Sequence, residues 1–206
     1  MKKFSRPKRD DNPVWTPEQF WNWFQSSEGR KALTEVFGSS KAQRAIAEAI
    51  KRVHPDLVWG LSPAAGGSGG TFEVSAGGLK ELIPVVRSLV DAAPDMEGWT
   101  VVAFKQPSPD FSVQFGGGIP VSIDASAVLV SPTAVPGGTF DLEIFVPVPA
   151  ATPRTTVGEL AFIFLDHTLG EYTVMTRIGE LSFDVTANAP PIAISLVAFA
   201  EEIQGC

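Results

Sequence analysis

GELAFIFLDHTLGEYTVMTRIGE, residues 158–180, is the stretch from which the fold is read. Leu160, Phe162, Ile163, Phe164 and Leu169 cover more than half of a helical circumference, which predicts a helix buried on most of its sides. Gly170 is a natural stop, because glycine takes the left-handed conformation that ends helices at little cost. Asp166, His167 and Glu171 interrupt the apolar surface at that end, so ionisable groups gather where a buried helix meets a turn.

Upstream of this helix the hydrophobic period changes from helical to two. Phe140, Leu142, Ile144 and Val146 alternate with Asp141 and Glu143, the pattern of a strand with one face in the core and one partly wet. Val121–Ile123 and Val128–Val130 read as weaker strands. Trp99–Gln106 and Phe111–Phe115 read as a strand pair joined through a Pro-Ser-Pro-Asp connection. Leu57, Trp59 and Leu61, then Thr71–Ser75, form a further hairpin around the glycine run 66–70. That run is no phosphate cradle: no Gly-Lys-Ser/Thr follows it, and it joins strands instead of opening a helix. Downstream, Leu181, Phe183 and Val185 give another strand, and Pro190-Pro191 lead into a terminal helix with Ile192, Leu196, Phe199 and Ile203.

The N-terminal third is helical. Thr16-Pro17-Glu18-Gln19 carries an N-cap, a proline in the first turn and a capping-box glutamine. Phe20, Trp23 and Phe24 share a face with Trp21 off it, so the first three are expected in the core; Trp21, Trp23 and Glu28 are the candidate interaction residues of this region. A second helical region runs over 30–53 with a break at Gly38-Ser39-Ser40, and His54 before Pro55 ends it. The stripe Leu79, Leu82, Ile83, Val86, Leu89 and Val90 is a further helix, with Pro84 in its first turn if it starts near Ile83. Strand hairpins with interspersed helices predict an α+β fold: a single, mainly antiparallel sheet with helices mostly on one face. The expected organisation is a flexible basic arm over 1–13, one domain over 14–186 and a C-terminal helical extension over 187–206.

Charge narrows the function classes. The net charge is −7, from 16 basic and 23 acidic residues. Residues 1–11 hold five of the basic and two of the acidic residues, +3, which leaves −10 on the rest (11 basic against 21 acidic). An acidic body argues against a nucleic-acid surface, which needs clustered lysine and arginine. Cys206, the one cysteine, admits no internal disulfide, which fits a reducing compartment. The first residues lack the apolar core of a secretory signal, and no window has the length of a membrane span, so a cytoplasmic protein is expected.

Four motifs occur in order over 14–186: Phe20-Trp21-Asn22-Trp23-Phe24 with Glu28, Val74-Ser75-Ala76-Gly77-Gly78, Ala93-Pro94 before Gly98-Trp99, and Leu165-Asp166-His167-Thr168-Leu169-Gly170-Glu171-Tyr172. In these the chain resembles a family of uncharacterised bacterial proteins, with Ser27 where that pattern has asparagine. The resemblance implies a shared fold but no activity, cofactor or catalytic set.

Ser75, Asp166, His167 and Glu171 are the candidate catalytic residues. Adjacent helical residues point about 100° apart, so Asp166 and His167 do not orient one another as a triad requires. His167 with Glu171 makes two ligands where zinc needs three or four, so no metal or other cofactor is expected. Asp166 and Glu171 are expected instead to satisfy backbone donors or to pair with Arg87 or Arg177, and Ser75 to bond the turn after its strand. The leading expectation is a non-catalytic protein-interaction domain, immunity-like or regulatory, whose acidic surface meets a protein partner. The alternative is a small hydrolase or ligand-binding enzyme using Ser75, Asp166, His167 and Glu171.

Overall fold

A computed structural model describes residues 14–64, 69–108, 110–116 and 121–204. The expected basic arm over 1–13 lies outside the described residues. Backbone contacts divide the chain into two compact units, one taking in the chain up to Gly77 with Leu82–Ala103, the other Gly78–Glu81 with the chain from Phe104 onward.

The first unit opens with α1 (Pro17–Gln25) and α2 (Ser27–Glu35), which share Ser26 as their cap residue. Thr16 caps α1 with the reciprocal pair foreseen from sequence: its hydroxyl accepts from the Gln19 N–H at 3.3 Å, and Gln19 Oε1 accepts from the Thr16 N–H at 2.9 Å. Ser26 then closes α1 by donating its N–H to Trp23 O and opens α2 by accepting from the Gly29 N–H. A Cβ on Gly29 would lie 2.4 Å from Trp23 O, so this corner requires glycine. Ser39 caps α3 (Ser40–Val53), and His54 stands at its C-terminal cap.

β1 (Val58–Pro63) pairs antiparallel with β2 (Gly70–Ser75), and α4 (Ile83–Asp91) precedes β3 (Trp99–Ala103), which runs parallel to β2. Phe20, Trp21 and Phe24 pack around Phe72 of β2, with ring centroids 5.1–6.4 Å from it. Trp21, expected off the core face, is 3% exposed, and its indole N–H donates to Leu89 O at 2.7 Å. Trp23 is the half-buried one, tilted against Trp15.

The second unit holds β4 (Ser112–Phe115) paired with β5 (Val121–Asp124), then β6 (Leu129–Val135), β7 (Thr139–Val146), α5 (Arg154–Leu169), α6 (Glu171–Arg177), β8 (Ile178–Val185), β9 (Ile194–Ser195) and α7 (Leu196–Gln204). Its main sheet has the order β8-β7-β6-β9, with β7 and β8 parallel. Leu142, Ile144 and Val146 of β7 meet Val157, Leu160, Ala161, Phe164 and Leu165 of α5 in one core, and α7 adds Leu196, Phe199, Ala200 and Ile203 to it. Gly158 of α5 sits where a Cβ would come within 2.7 Å of the Phe183 ring, so the small residue lets helix and strand close up. The helix is not buried on most sides: Phe162 is 49% and Ile163 40% exposed, and the buried face is an ordinary stripe.

The single sheet expected from sequence is corrected to three separate small sheets among the described residues, β1-β2-β3, β4-β5 and β8-β7-β6-β9. The step that divides them is the expected pairing of 99–106 with 111–115, which does not form. β3 gives its hydrogen bonds to β2, and at Phe104 the backbone turns to φ 66°, a left-handed conformation that ends the strand. β4 then pairs with β5.

Candidate functional site

The ionisable cluster read from sequence is at the corner between α5 and α6 in the second unit. Gly170, at φ 78°, caps α5 with its N–H on Asp166 O and releases the chain into α6. Glu171 opens α6 and is 1% exposed. Its carboxylate accepts two backbone N–H groups, from Gly78 at 3.1 Å and from Lys105 at 3.2 Å, while its own N–H donates to Lys105 O at 3.0 Å. A buried carboxylate is costly unless hydrogen-bonded, and these donors supply that compensation.

Asp166 is half-buried, and its Oδ2 accepts from Lys105 Nζ at 3.1 Å. Lys105 is thus the basic partner; of the arginines considered from sequence, Arg177 sends its Nε to Gly138 O instead. Lys105 carried a usable signal, as the one lysine or arginine between Arg87 and Arg154. The His167 ring lies flat on Phe111, centroids 3.8 Å apart and planes within 6°. Burial holds its pKa below the ordinary value, and the Lys105 charge lowers it further against the opposing pull of Asp166. The balance of these effects favours the neutral imidazole. Ser75 belongs to the first unit; it is 1% exposed, and its Oγ accepts from the Gly77 N–H at 3.0 Å.

A general base needs a free ring nitrogen facing a proton to be moved, and a nucleophile needs an approachable oxygen. Here the serine oxygen is buried on its own turn, both carboxylates accept hydrogen bonds, and one face of the imidazole is stacked on Phe111 while its nitrogens lie at the ring edge. Among the described residues no three His, Cys, Asp or Glu side chains come together to hold a metal ion.

A second feature, missed from sequence, lies in the first unit. A cleft of about 560 Å³ is lined by Phe24, Leu33, Met96 and Trp99 together with Arg30, Asp95 and Glu97. Phe37, 52% exposed, stacks on Trp99 with centroids 6.3 Å apart and planes within 9°. Of the candidate interaction residues, Glu28 is exposed in the first turn of α2, Trp23 is half-buried and Trp21 offers no surface. The sequence signal for the cleft is the apolar Met96 set between Asp95 and Glu97 in the turn just before the strand that opens with Trp99. No helix among the described residues is long and apolar enough to cross a membrane.

Compared with known proteins, the chain matches no family model, and a search of curated proteins finds no match.

Proposed function

We propose that this chain is a non-catalytic protein-interaction domain, immunity-like or regulatory in kind, that acts in the cytoplasm and binds its partner through the cleft of the first unit. The observation that carries the reading is how the reactive side chains are used. Glu171 is committed to the Gly78 and Lys105 N–H groups, Asp166 to Lys105, Ser75 to its own turn, and His167 is laid against Phe111. In the first unit an aromatic surface lies where Phe37, 52% exposed, stacks on Trp99 of the cleft. Aromatic anchors with a polar rim are the usual carriers of binding energy between proteins. The acidic body favours a protein partner over a nucleic acid.

The test is photocrosslinking in the producing cell. Benzoylphenylalanine in place of Phe37 is expected to trap one discrete protein species, whereas the same probe at Ile192, 83% exposed in the second unit, traps none. Equal trapping from both positions, or none from Phe37, refutes the assignment of the binding face.

A further inference from the structure

We infer, resting on the reading of the chain as a protein-binding module, that the cleft of the first unit takes a short peptide segment in which an apolar or aromatic side chain is flanked by lysine or arginine. The floor supplies the first half of this chemistry. Met96 and Trp99, both half-buried, offer apolar and aromatic surface above the buried Phe24 and Leu33, and Met96 adapts its shape to what it meets. Phe37 already stacks on Trp99 and leaves half its own surface in water. An incoming ring or aliphatic side chain removes the accessible parts of Met96 and Trp99 from solvent, and offset aromatic contacts with Trp99 add to the gain. The volume, about 560 Å³, suits one large side chain with its neighbours.

The rim supplies the second half. Asp95 and Glu97 flank Met96 and are both exposed, and neither has an ion-pair or hydrogen-bond partner among the described residues. Arg30 is the one basic residue in the lining, and its Nε is taken by Gln25 O at 2.7 Å. Two unpaired carboxylates against one partly engaged guanidinium make the rim attractive to cations. Lysine or arginine beside the inserted side chain meets those carboxylates, and a cation over Trp99 gains from the ring face as well. A phosphate-bearing ligand or an acidic peptide is repelled by the same pair. The net charge of −10 outside the first eleven residues steers a basic segment in the same sense at a distance.

The experiment uses the full chain labelled with 5-fluorotryptophan, the Trp99 fluorine resonance being assigned by Trp99→Phe. The probes are three blocked heptapeptides with a central phenylalanine, flanked on each side by two lysines, two glutamates or two serines. The lysine peptide is expected to shift the Trp99 resonance saturably, and the glutamate peptide to leave it in place. The double variant Asp95→Asn, Glu97→Gln should weaken the lysine peptide about fivefold, the scale of two exposed ion pairs, and added salt should weaken it in the same direction. Both positions are exposed, and an unchanged thermal melt of the variant confirms that folding is not the cause. If the serine or glutamate peptide shifts Trp99 as tightly as the lysine one, the charge rule falls while the binding cleft stands. If no peptide moves the Trp99 resonance, the peptide specificity is overturned, and the crosslink from Phe37 still decides separately whether a partner sits there.

Discussion

Trp21→Phe probes the packing of the first unit at its most committed point. The indole N–H reaches Leu89 O at 2.7 Å across a buried contact, and Leu89 lies in the last turn of α4, where carbonyls lack helical donors. Phenylalanine keeps most of the ring but removes the donor. Leaving that carbonyl unsatisfied costs about 1–3 kcal/mol. The space vacated by the smaller ring against Phe20, Phe24 and Phe72 adds about 1 kcal/mol. The expected loss is therefore about 2–4 kcal/mol, which for a chain of this size lowers the melting temperature by about 10 °C. Trp23→Phe is the control: Trp23 is half-buried, and its loss should stay under about 1 kcal/mol. Urea denaturation followed by circular dichroism measures both. Equal losses from the two variants, or a Trp21→Phe protein within about 0.5 kcal/mol of the parent, would show that the indole does not serve α4 as described.

Two further outcomes follow from the second unit. Glu171→Gln keeps the shape of the side chain but turns one of two charged acceptors into a donor facing a backbone N–H, so it should destabilise by about 2–4 kcal/mol in urea denaturation, and an unchanged midpoint would contradict the clamp. His167 should titrate below pH 6.5 by NMR. Because the folded chain then binds this proton less readily than the unfolded one, stability rises with pH: the group costs nothing above about pH 6.5, and the penalty grows as pH falls from there to the folded pKa. His167→Gln should remove that slope; a midpoint at or above 6.5 would sink the account.

What was legible in the sequence was local. The capping box at Thr16, the stop at Gly170 and the hairpin around the glycine run all depend on neighbours within a few residues, and each stands where the sequence put it, whereas β7 alternates only over Leu142-Glu143-Ile144 because Phe145 is buried as well. Trp21 and Trp23 mark the limit. Around the axis of α1 they flank the Phe20–Phe24 stripe at nearly equal angles, about 80° to either side, so periodicity alone cannot choose between them. The choice was made by a carbonyl in α4, 68 residues away, that needed a donor. Strand pairing failed for the same reason. β2 takes one neighbour from the adjacent hairpin and the other from beyond α4, and nothing within 99–115 announces that the next strand belongs to another sheet.

The site was half legible, and the way it misled has a physical cause. After Ala103 the chain leaves β3 and, among the described residues, joins no ladder until Ser112, yet its backbone polar groups still need partners. The corner of α5 and α6 provides them. Lys105 donates its N–H to Glu171 and receives the Glu171 N–H on its carbonyl; the Phe104 carbonyl accepts from Gln106 Nε2; the Ser108 N–H donates to His167 O. Gly170 makes the approach feasible, since a Cβ there would stand 3.0 Å from Pro107 Cδ and 3.2 Å from Lys105 O. Asp166 then holds the Lys105 side chain alongside. A segment without a strand partner needs charged acceptors, a glycine and a lysine at one corner, and these are the residue types that a catalytic constellation also uses. Here the Glu171 carboxylate faces the Gly78 and Lys105 N–H groups, and the Asp166 carboxylate faces the Lys105 ammonium.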